Sequence, residues 1–271
     1  MSADGSNGYE GIASSYVAGR GTRPLVGDAI GAATVRSWAQ AFPSGATVLD
    51  LGSGPGEPST RILQEAGLAT YAIDASSAMV AAFRERFPGV PIEHNTVEAS
   101  ELFDRTFDGV LAWGLMFLLK PIAQALVIEK VARRLNPEGR FLFTAPEEPL
   151  EWLDAMTGRE SQSLGAHTYD RLLRDAGLTW VAEAQDEGEN HYYFVERRQP
   201  SRGSAVRQLQ RMDSSRVRSH LRPDKRFQPS EARRLSRNGG VGYSRLRRRS
   251  AGSAKRSRPG TRLADWRARW A

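Results

Sequence analysis

From about residue 27 to residue 195, short apolar runs alternate with amphipathic stretches, a pattern that predicts an α/β protein. The runs Thr47–Leu51, Ala69–Ile73, Ile92–His94, Phe107–Trp113, Arg140–Ala145, Thr179–Ala184 and Asn190–Val195 read as strands. Helices are expected at Gly27–Ala41, at Ser59–Gly67, after Ser76 or Ser77, at Ala123–Leu135 and at Thr168–Ala176. The helix ending at Leu135 is stopped by Asn136-Pro137-Glu138-Gly139, which reads as a turn before the next strand. Strands separated by helices imply a mostly parallel sheet with helices on both faces.

Candidate chemistry enters at the first strand. Thr47–Leu51 runs into Gly52-Ser53-Gly54-Pro55-Gly56, and a helix start follows at Ser59. Glycine accepts positive φ and lets a ligand approach the backbone, while a helix start offers free N–H groups. An α/β sheet builds a small-molecule site in this way at a strand's carboxyl end, so a nucleoside-type cofactor is expected. The dinucleotide fingerprint G-x-G-x-x-G fails, because its last glycine would fall on Glu57. The chain instead reads D-x-G-x-G-x-G, with Asp50 two positions before Gly52. A carboxylate there suits a zwitterionic ligand that carries an ammonium and would repel a pyrophosphate. Asp74 ends the second strand, at about the spacing where a carboxylate accepts both ribose hydroxyls. Plainer readings stand beside these: an acid favoured at a helix start for Asp74, and core packing for Met79.

The loop resembles motif I of the class I S-adenosylmethionine (SAM) dependent methyltransferases. The resemblance implies that Gly52, Ser53, Gly54 and Gly56 wrap the amino-acid end of SAM, with Asp50 supporting the loop or the ammonium. Asp74-Ala75-Ser76-Ser77-Ala78-Met79 is similar to the next family motif, which places Ala75 and Met79 near the ribose and adenine. Val97-Glu98-Ala99 looks like the segment that reads the adenine amino group, with Glu98 as acceptor and Ala99 offering its N–H; Thr96 is the rival position. Phe107-Asp108-Gly109-Val110 resembles the family's fourth strand, which would bring Trp113 and Met116 near the transferred methyl. The helix stop at Asn136–Gly139 resembles the family's L-x-P-G-G region, with Glu138 where glycine is usual. Thr179–Ala184 and Asn190–Val195, joined by Gln185–Glu189, look like its closing antiparallel pair. The implied fold is a seven-stranded, mostly parallel sheet with an antiparallel closing strand. Tyr9–Tyr16 and Arg20 look like the lid that folds over SAM. Three regions follow: a lid and leading helix over 1–44, a SAM-binding core over 45–195, and a tail over 196–271.

Charge sets the tail apart. Residues 1–195 carry 15 Lys and Arg against 26 Asp and Glu, whereas 196–271 carry 23 against 5, of which 21 are arginine. With few apolar residues and no sustained period, the tail is expected to be disordered. It reads first as a frame-shifted extension of the gene, and a basic arm for nucleic acid is the remaining alternative, against which stand the lack of an aromatic platform and of zinc spacing. Cysteine is absent, which excludes disulfides and thiol catalysis, and the histidines at 94, 167, 191 and 220 have no metal-ligand spacing. The start lacks a charged-then-apolar signal pattern and the longest apolar run is too short to span a bilayer, so a cytoplasmic protein is expected.

Methyl transfer from a sulfonium asks the protein mainly to position the acceptor and, for a protonated nucleophile, to remove a proton. His191 is the first candidate base, because its ordinary pKa suits proton transfer near neutrality, and Glu147 is the second. A structural histidine in a hairpin is the plain alternative for His191. Ser161–Gly165 is either an anion site before a helix or a simple connection. The implied activity is methylation of a small-molecule acceptor. A SAM-binding protein without catalysis and an RNA methyltransferase that uses the tail are the alternatives, and oligomeric state is open.

Overall fold

A computed structural model describes residues 5–21 and 29–198. The tail expected over 196–271 lies outside the described residues beyond Arg198, as do Gly27 and Asp28 of the expected leading helix and the Arg20 side chain.

The elements in chain order are α1 (Tyr9–Gly21), α2 (Ala32–Ala39), β1 (Thr47–Leu51), α3 (Ser59–Glu65), β2 (Ala69–Asp74), α4 (Ser77–Arg86), β3 (Ile92–His94) and β4 (Phe107–Ala112). They continue with α5 (Pro121–Arg134), β5 (Leu135–Thr144), β6 (Leu150–Leu153), β7 (Glu160–Ser163), α6 (Ala166–Asp175), β8 (Thr179–Gln185) and β9 (His191–Glu196). Seven strands form one sheet in the order β3-β2-β1-β4-β5-β9-β8. β1 to β5 are parallel, and β9 runs antiparallel to both β5 and β8. The expected sheet and its closing pair are therefore present. The strand order reverses between β1 and β4, where an open α/β sheet forms a crevice at its carboxyl edge.

Alternation along the strands divides the core. Leu49, Leu51, Val110, Phe141, Phe143, Tyr193 and Val195 face one side, where Val127, Ile128 and Val131 of α5 and Tyr169 and Leu173 of α6 cover them. Val48, Leu111, Leu142, Tyr192 and Phe194 face the other, beneath Val35 and Trp38 of α2 and Ile62 and Leu63 of α3. On the first face the rings of Phe143 and Tyr193 stack at 4.5 Å and 4°, with Phe141 5.0 Å from Phe143.

Two segments differ from the sequence expectation. The turn at Asn136–Gly139 is a bulge within β5: pairing steps from Phe107↔Leu135 to Gly109↔Arg140, so four residues stand opposite Asp108. Asp108 holds the bulge by accepting from Asn136 Nδ2 at 2.7 Å, and Glu138 has a φ of 66°. The second difference is an additional hairpin, β6–β7, which pairs Leu150 with Ser163 and Leu153 with Glu160. Its polar second strand carries no alternation that could announce it. Of the segment Ser161–Gly165, the first three residues belong to β7 and only Leu164 and Gly165 connect the hairpin to α6, with Ser163 Oγ donating to the Pro146 carbonyl and accepting from Gly165 N. No helix among the described residues is long and apolar enough to cross a membrane.

Phe143 is fully buried in the ring stack. Phe143→Ala is expected to cost about 3–5 kcal/mol, measured as a lower urea midpoint at an unchanged slope.

Candidate functional site

A cavity of about 1300 Å³ opens at the crevice between the carboxyl ends of β1 and β4. Small-molecule pockets are usually about 300–1000 Å³, so this one has room for two ligands side by side. Its inner wall is the loop after β1. Gly52 and Ser53 donate to the Ile73 carbonyl at 2.8 and 3.1 Å, which ties the loop to β2. Gly54 takes a φ of 55° and turns its N–H onto Asp74 Oδ2 at 2.7 Å, leaving only the Tyr16 ring opposite its α-carbon. Gly56, at φ 82°, packs so closely on Phe87 that a β-carbon would lie 2.4 Å from the ring.

Asp74 ends β2 at the cavity. Its Oδ1 accepts from Ser76 N at 2.9 Å while Oδ2 holds Gly54 N. Burial pushes its carboxyl above the ordinary range, against the pull of those two N–H groups. Ser76 caps α4 by accepting from Met79 N at 3.1 Å, and Ala75 and Met79 complete this wall. The Ser53 hydroxyl is the clearest sign of a ligand. Ser53 is 4% exposed, lines the cavity, and its Oγ has no hydrogen-bond partner among the described residues. Buried hydroxyls are normally satisfied, so an orphan in a cavity wall awaits a polar partner.

Of the two parts expected of Asp50, supporting the loop or the ammonium, its contacts match the first. It is buried behind the loop, does not line the cavity, and accepts from Ser59 Oγ and Thr60 Oγ1 at 2.7 Å each. It therefore pins the start of α3 and supports the loop. Burial pushes its carboxyl up to about 6, the two hydroxyls work against that shift, and Asp74 adds to it.

At the adenine end the structure corrects the sequence. Ala99 does not line the cavity, and its N–H is engaged by Thr96 Oγ1 and by the Thr96 carbonyl, each at 3.2 Å. Asn95, Thr96, Val97 and Glu98 line the wall, so both Glu98 and the rival Thr96 reach it.

The outer half of the cavity is apolar. Trp113, Leu115, Phe117 and Leu118 follow β4, and Leu153 and Met156 face them from the β6–β7 hairpin. Leu153 and Met156 are 68% and 54% exposed, which is unusual for large apolar side chains on a small hairpin. Trp113 packs against the buried cluster that contains Tyr192, whose hydroxyl donates to Asp186 Oδ2 at 2.8 Å. Met116, expected near the methyl, is fully buried in the core.

The two candidate bases are not in the cavity. His191 packs beneath Trp180 and against Tyr193, with centroid distances of 6.5 and 4.6 Å, and its Nε2 lies 3.8 Å from Glu183 Oε2. Burial lowers its pKa, which opposes the charging that Glu183 favours. Glu147 is exposed outside the cavity, and its carbonyl accepts from Ala166 N at 2.7 Å. No group of three or more potential metal ligands occurs among the described residues.

Helix α1 roofs the site with Tyr9 and Tyr16, whose rings meet edge to face at 5.6 Å, and Asn7 joins them from the turn before it. Glu10 latches it down. Its carboxylate accepts from Ser76 Oγ at 2.5 Å, Ser77 Oγ at 2.7 Å and Ala78 N at 3.3 Å, at the positive end of α4. The serine hydrogen bonds hold its carboxyl below the usual range.

Residues 48–139 match a family model described as a methyltransferase domain. The fold is shared with solved structures of low sequence identity. The 1,6-didemethyltoxoflavin-N1-methyltransferase of Burkholderia thailandensis is 21% identical, with 74% of this chain and 92% of that one covered and a TM-score of 0.52. The amino pentose methyltransferase CalS10 of Micromonospora echinaspora is 18% identical, covering 69% and 96%, with a TM-score of 0.52. The CcbJ methyltransferase of Streptomyces caelestis is 14% identical, covering 72% and 98%, with a TM-score of 0.55. No curated protein matches the chain.

Two outcomes follow from the carboxylates. Asp50 is more basic folded than unfolded, so its contribution is present below the ordinary aspartate range and lost as pH rises through about 6. Relative to wild type, Asp50→Asn should therefore gain up to about 3 kcal/mol of stability between about pH 4 and pH 7, measured by urea unfolding. Glu10 has the opposite sign. Its contact holds above the ordinary glutamate range and is lost as pH falls through the lowered value, so α1 is latched at neutrality. Glu10→Gln should speed limited proteolysis within residues 9–21 at pH 7 without moving the thermal midpoint of the core.

Proposed function

We propose that this chain, a class I SAM-dependent methyltransferase by its domain at residues 48–139 and by its fold, methylates a small organic acceptor with an apolar body. The observation that carries this is the orphaned Ser53 hydroxyl beside the Asp74 carboxylate in one cavity wall.

The residues present fit SAM. Asp74 has the carboxylate that two ribose hydroxyls require, and Ser53 with the loop glycines faces the amino-acid end. The wall at Asn95–Glu98 would take adenine, and Met79 would pack against it. When bound, SAM supplies a methyl group activated by its sulfonium. The chain's own residues then have three tasks. Asp74 and the loop hold the cofactor's position. Tyr9 and Tyr16 on the latched α1 exclude water from the transfer zone. Trp113, which packs against the cluster containing Tyr192, forms a wall along which the acceptor aligns for in-line attack.

The acceptor's body would lie between Phe117 and the exposed Leu153 and Met156. None of the three histidines among the described residues lines the cavity. The acceptor atom we favour is one that is nucleophilic unaided, such as an amine free base or a heteroaromatic nitrogen, for which no base is needed. Neighbours of this fold named for a toxoflavin precursor and an amino pentose support a small-molecule acceptor.

Calorimetric titration of SAM and its demethylated product into the full chain tests the cofactor, with Asp74→Ala alongside. Wild-type binding in the micromolar range should weaken by about 10–100-fold in the variant, the loss expected when hydrogen bonds to a charged group disappear. Binding unaffected by Asp74→Ala would overturn the assignment. On the acceptor side, Leu153→Asp should raise KM for any acceptor found in a metabolite panel while leaving SAM affinity unchanged.

A further inference from the structure

The segment Asn95–Leu102 behind the adenine wall contains one tight turn. Ala99 N and Ser100 N return to the Thr96 carbonyl at 3.2 and 2.9 Å, and Thr96 Oγ1 also accepts from Ala99 N. A turn of this kind leaves its first N–H groups free at one end and its carbonyls free at the other. The carbonyl end is filled from α5. Lys130 Nζ donates to the carbonyls of Val97, at 3.5 Å, of Glu98, and of Ser100, at 2.8 Å. An ammonium has three donors and no acceptor, so the three carbonyls match its capacity.

Lys130 approaches from the side away from the cavity, where it lines a separate hollow with Ser100, Glu101 and Leu102. In a planar trans peptide the C=O and the following N–H point in opposite directions. Drawing the Val97 carbonyl onto Lys130 therefore turns the Glu98 N–H away from α5 and towards the cavity wall. No hydrogen bond of the Val97 or Glu98 N–H occurs among the described residues, and both residues line the cavity. Glu93 braces the rest of the segment by accepting from Ser100 Oγ at 2.5 Å and Phe103 N at 3.1 Å.

We infer that Lys130 is a positioning residue for cofactor recognition: by holding three carbonyls from behind, that of Val97 among them, it presents the Glu98 amide to the adenine ring edge. This rests on the SAM assignment above. Adenine offers an acceptor at ring nitrogen N1 beside a donor amino group. Hypoxanthine reverses that pattern, so a fixed N–H should prefer the adenine compound.

Titration of the full chain with S-adenosylhomocysteine and with S-inosylhomocysteine tests the inference in wild type, Lys130→Met and Lys130→Arg. Wild type should favour the adenine compound. Lys130→Met should weaken it about tenfold while moving the inosine compound by less than about twofold, so that selectivity collapses. Lys130→Arg, which keeps donors, should retain most of the selectivity. In Lys130→Met the protection that bound S-adenosylhomocysteine gives the Glu98 amide against deuterium exchange should also be lost. The inference is overturned if wild type binds both compounds equally, or if selectivity survives in Lys130→Met, whether both affinities hold or both fall together. Should Lys130→Met not fold, Lys130→Gln is read by the same criterion. Wild type that fails to bind S-adenosylhomocysteine at all instead removes the SAM assignment, and the role of Lys130 with it.

Discussion

At the carboxyl end of β2 the two oxygens of Asp74 are divided between Gly54 N, in the loop after β1, and Ser76 N, at the start of α4. A carboxylate at the half-dry edge of a sheet has to be compensated by donors, and backbone N–H groups are the donors within reach. The glycine loop therefore closes onto β2 only in the conformation that brings Gly54 N inward, which requires the positive φ that glycine tolerates. Ser76 extends the chain of contacts outward, since Glu10 of the roofing helix binds its hydroxyl. Cofactor wall, α4 start and lid thus share one charged centre, and a ligand at Asp74 meets all three.

The acceptor half depends on a separate support. The turn between β8 and β9 places Asp186 where it accepts from the Tyr192 hydroxyl, and Trp113 packs against the buried cluster that contains Tyr192. The neighbouring Glu187 accepts from Gly31 N at 3.2 Å, at the start of α2. One turn at the far end of the sequence thus fixes an aromatic wall grown from β4 and the helix that follows the lid. The apolar side chains opposite that wall stand on the β6–β7 hairpin, which packs through Phe117 and Trp152, 5.6 Å apart. The two halves are built by different parts of the chain, so acceptor contacts can change without disturbing Asp74 or its loop.

The sheet was legible because its signal is local. β1, β2, β3 and β4 appear where apolar runs end in turn residues, and Ser76 caps α4 as its position before Ser77–Arg86 suggests. The closing pair β8–β9 was legible from two runs and a short polar link. What escaped was structure whose stabilising partners are distant. The bulge at Asn136–Gly139 exists because Asp108, on another strand, can hold Asn136. The hairpin strand Glu160–Ser163 is polar, and its buried serines Ser161 and Ser163 give no hydrophobic alternation to read.

The site divides along the same line. Residue type and spacing determined a glycine loop, an acid two residues ahead of it and an acid at the end of β2, because a ligand-cradling loop needs those groups within a few residues of one another. Tertiary structure decided which groups face the cavity. It turned Asp50 inward onto Ser59 and Thr60, removed His191 to a pocket beneath Trp180, and handed the adenine wall to Thr96, Val97 and Glu98. Sequence names the groups that can donate, accept or ionise; direction comes from packing, since a strand residue's face and a peptide's tilt are set by what lies across the sheet or on the next helix.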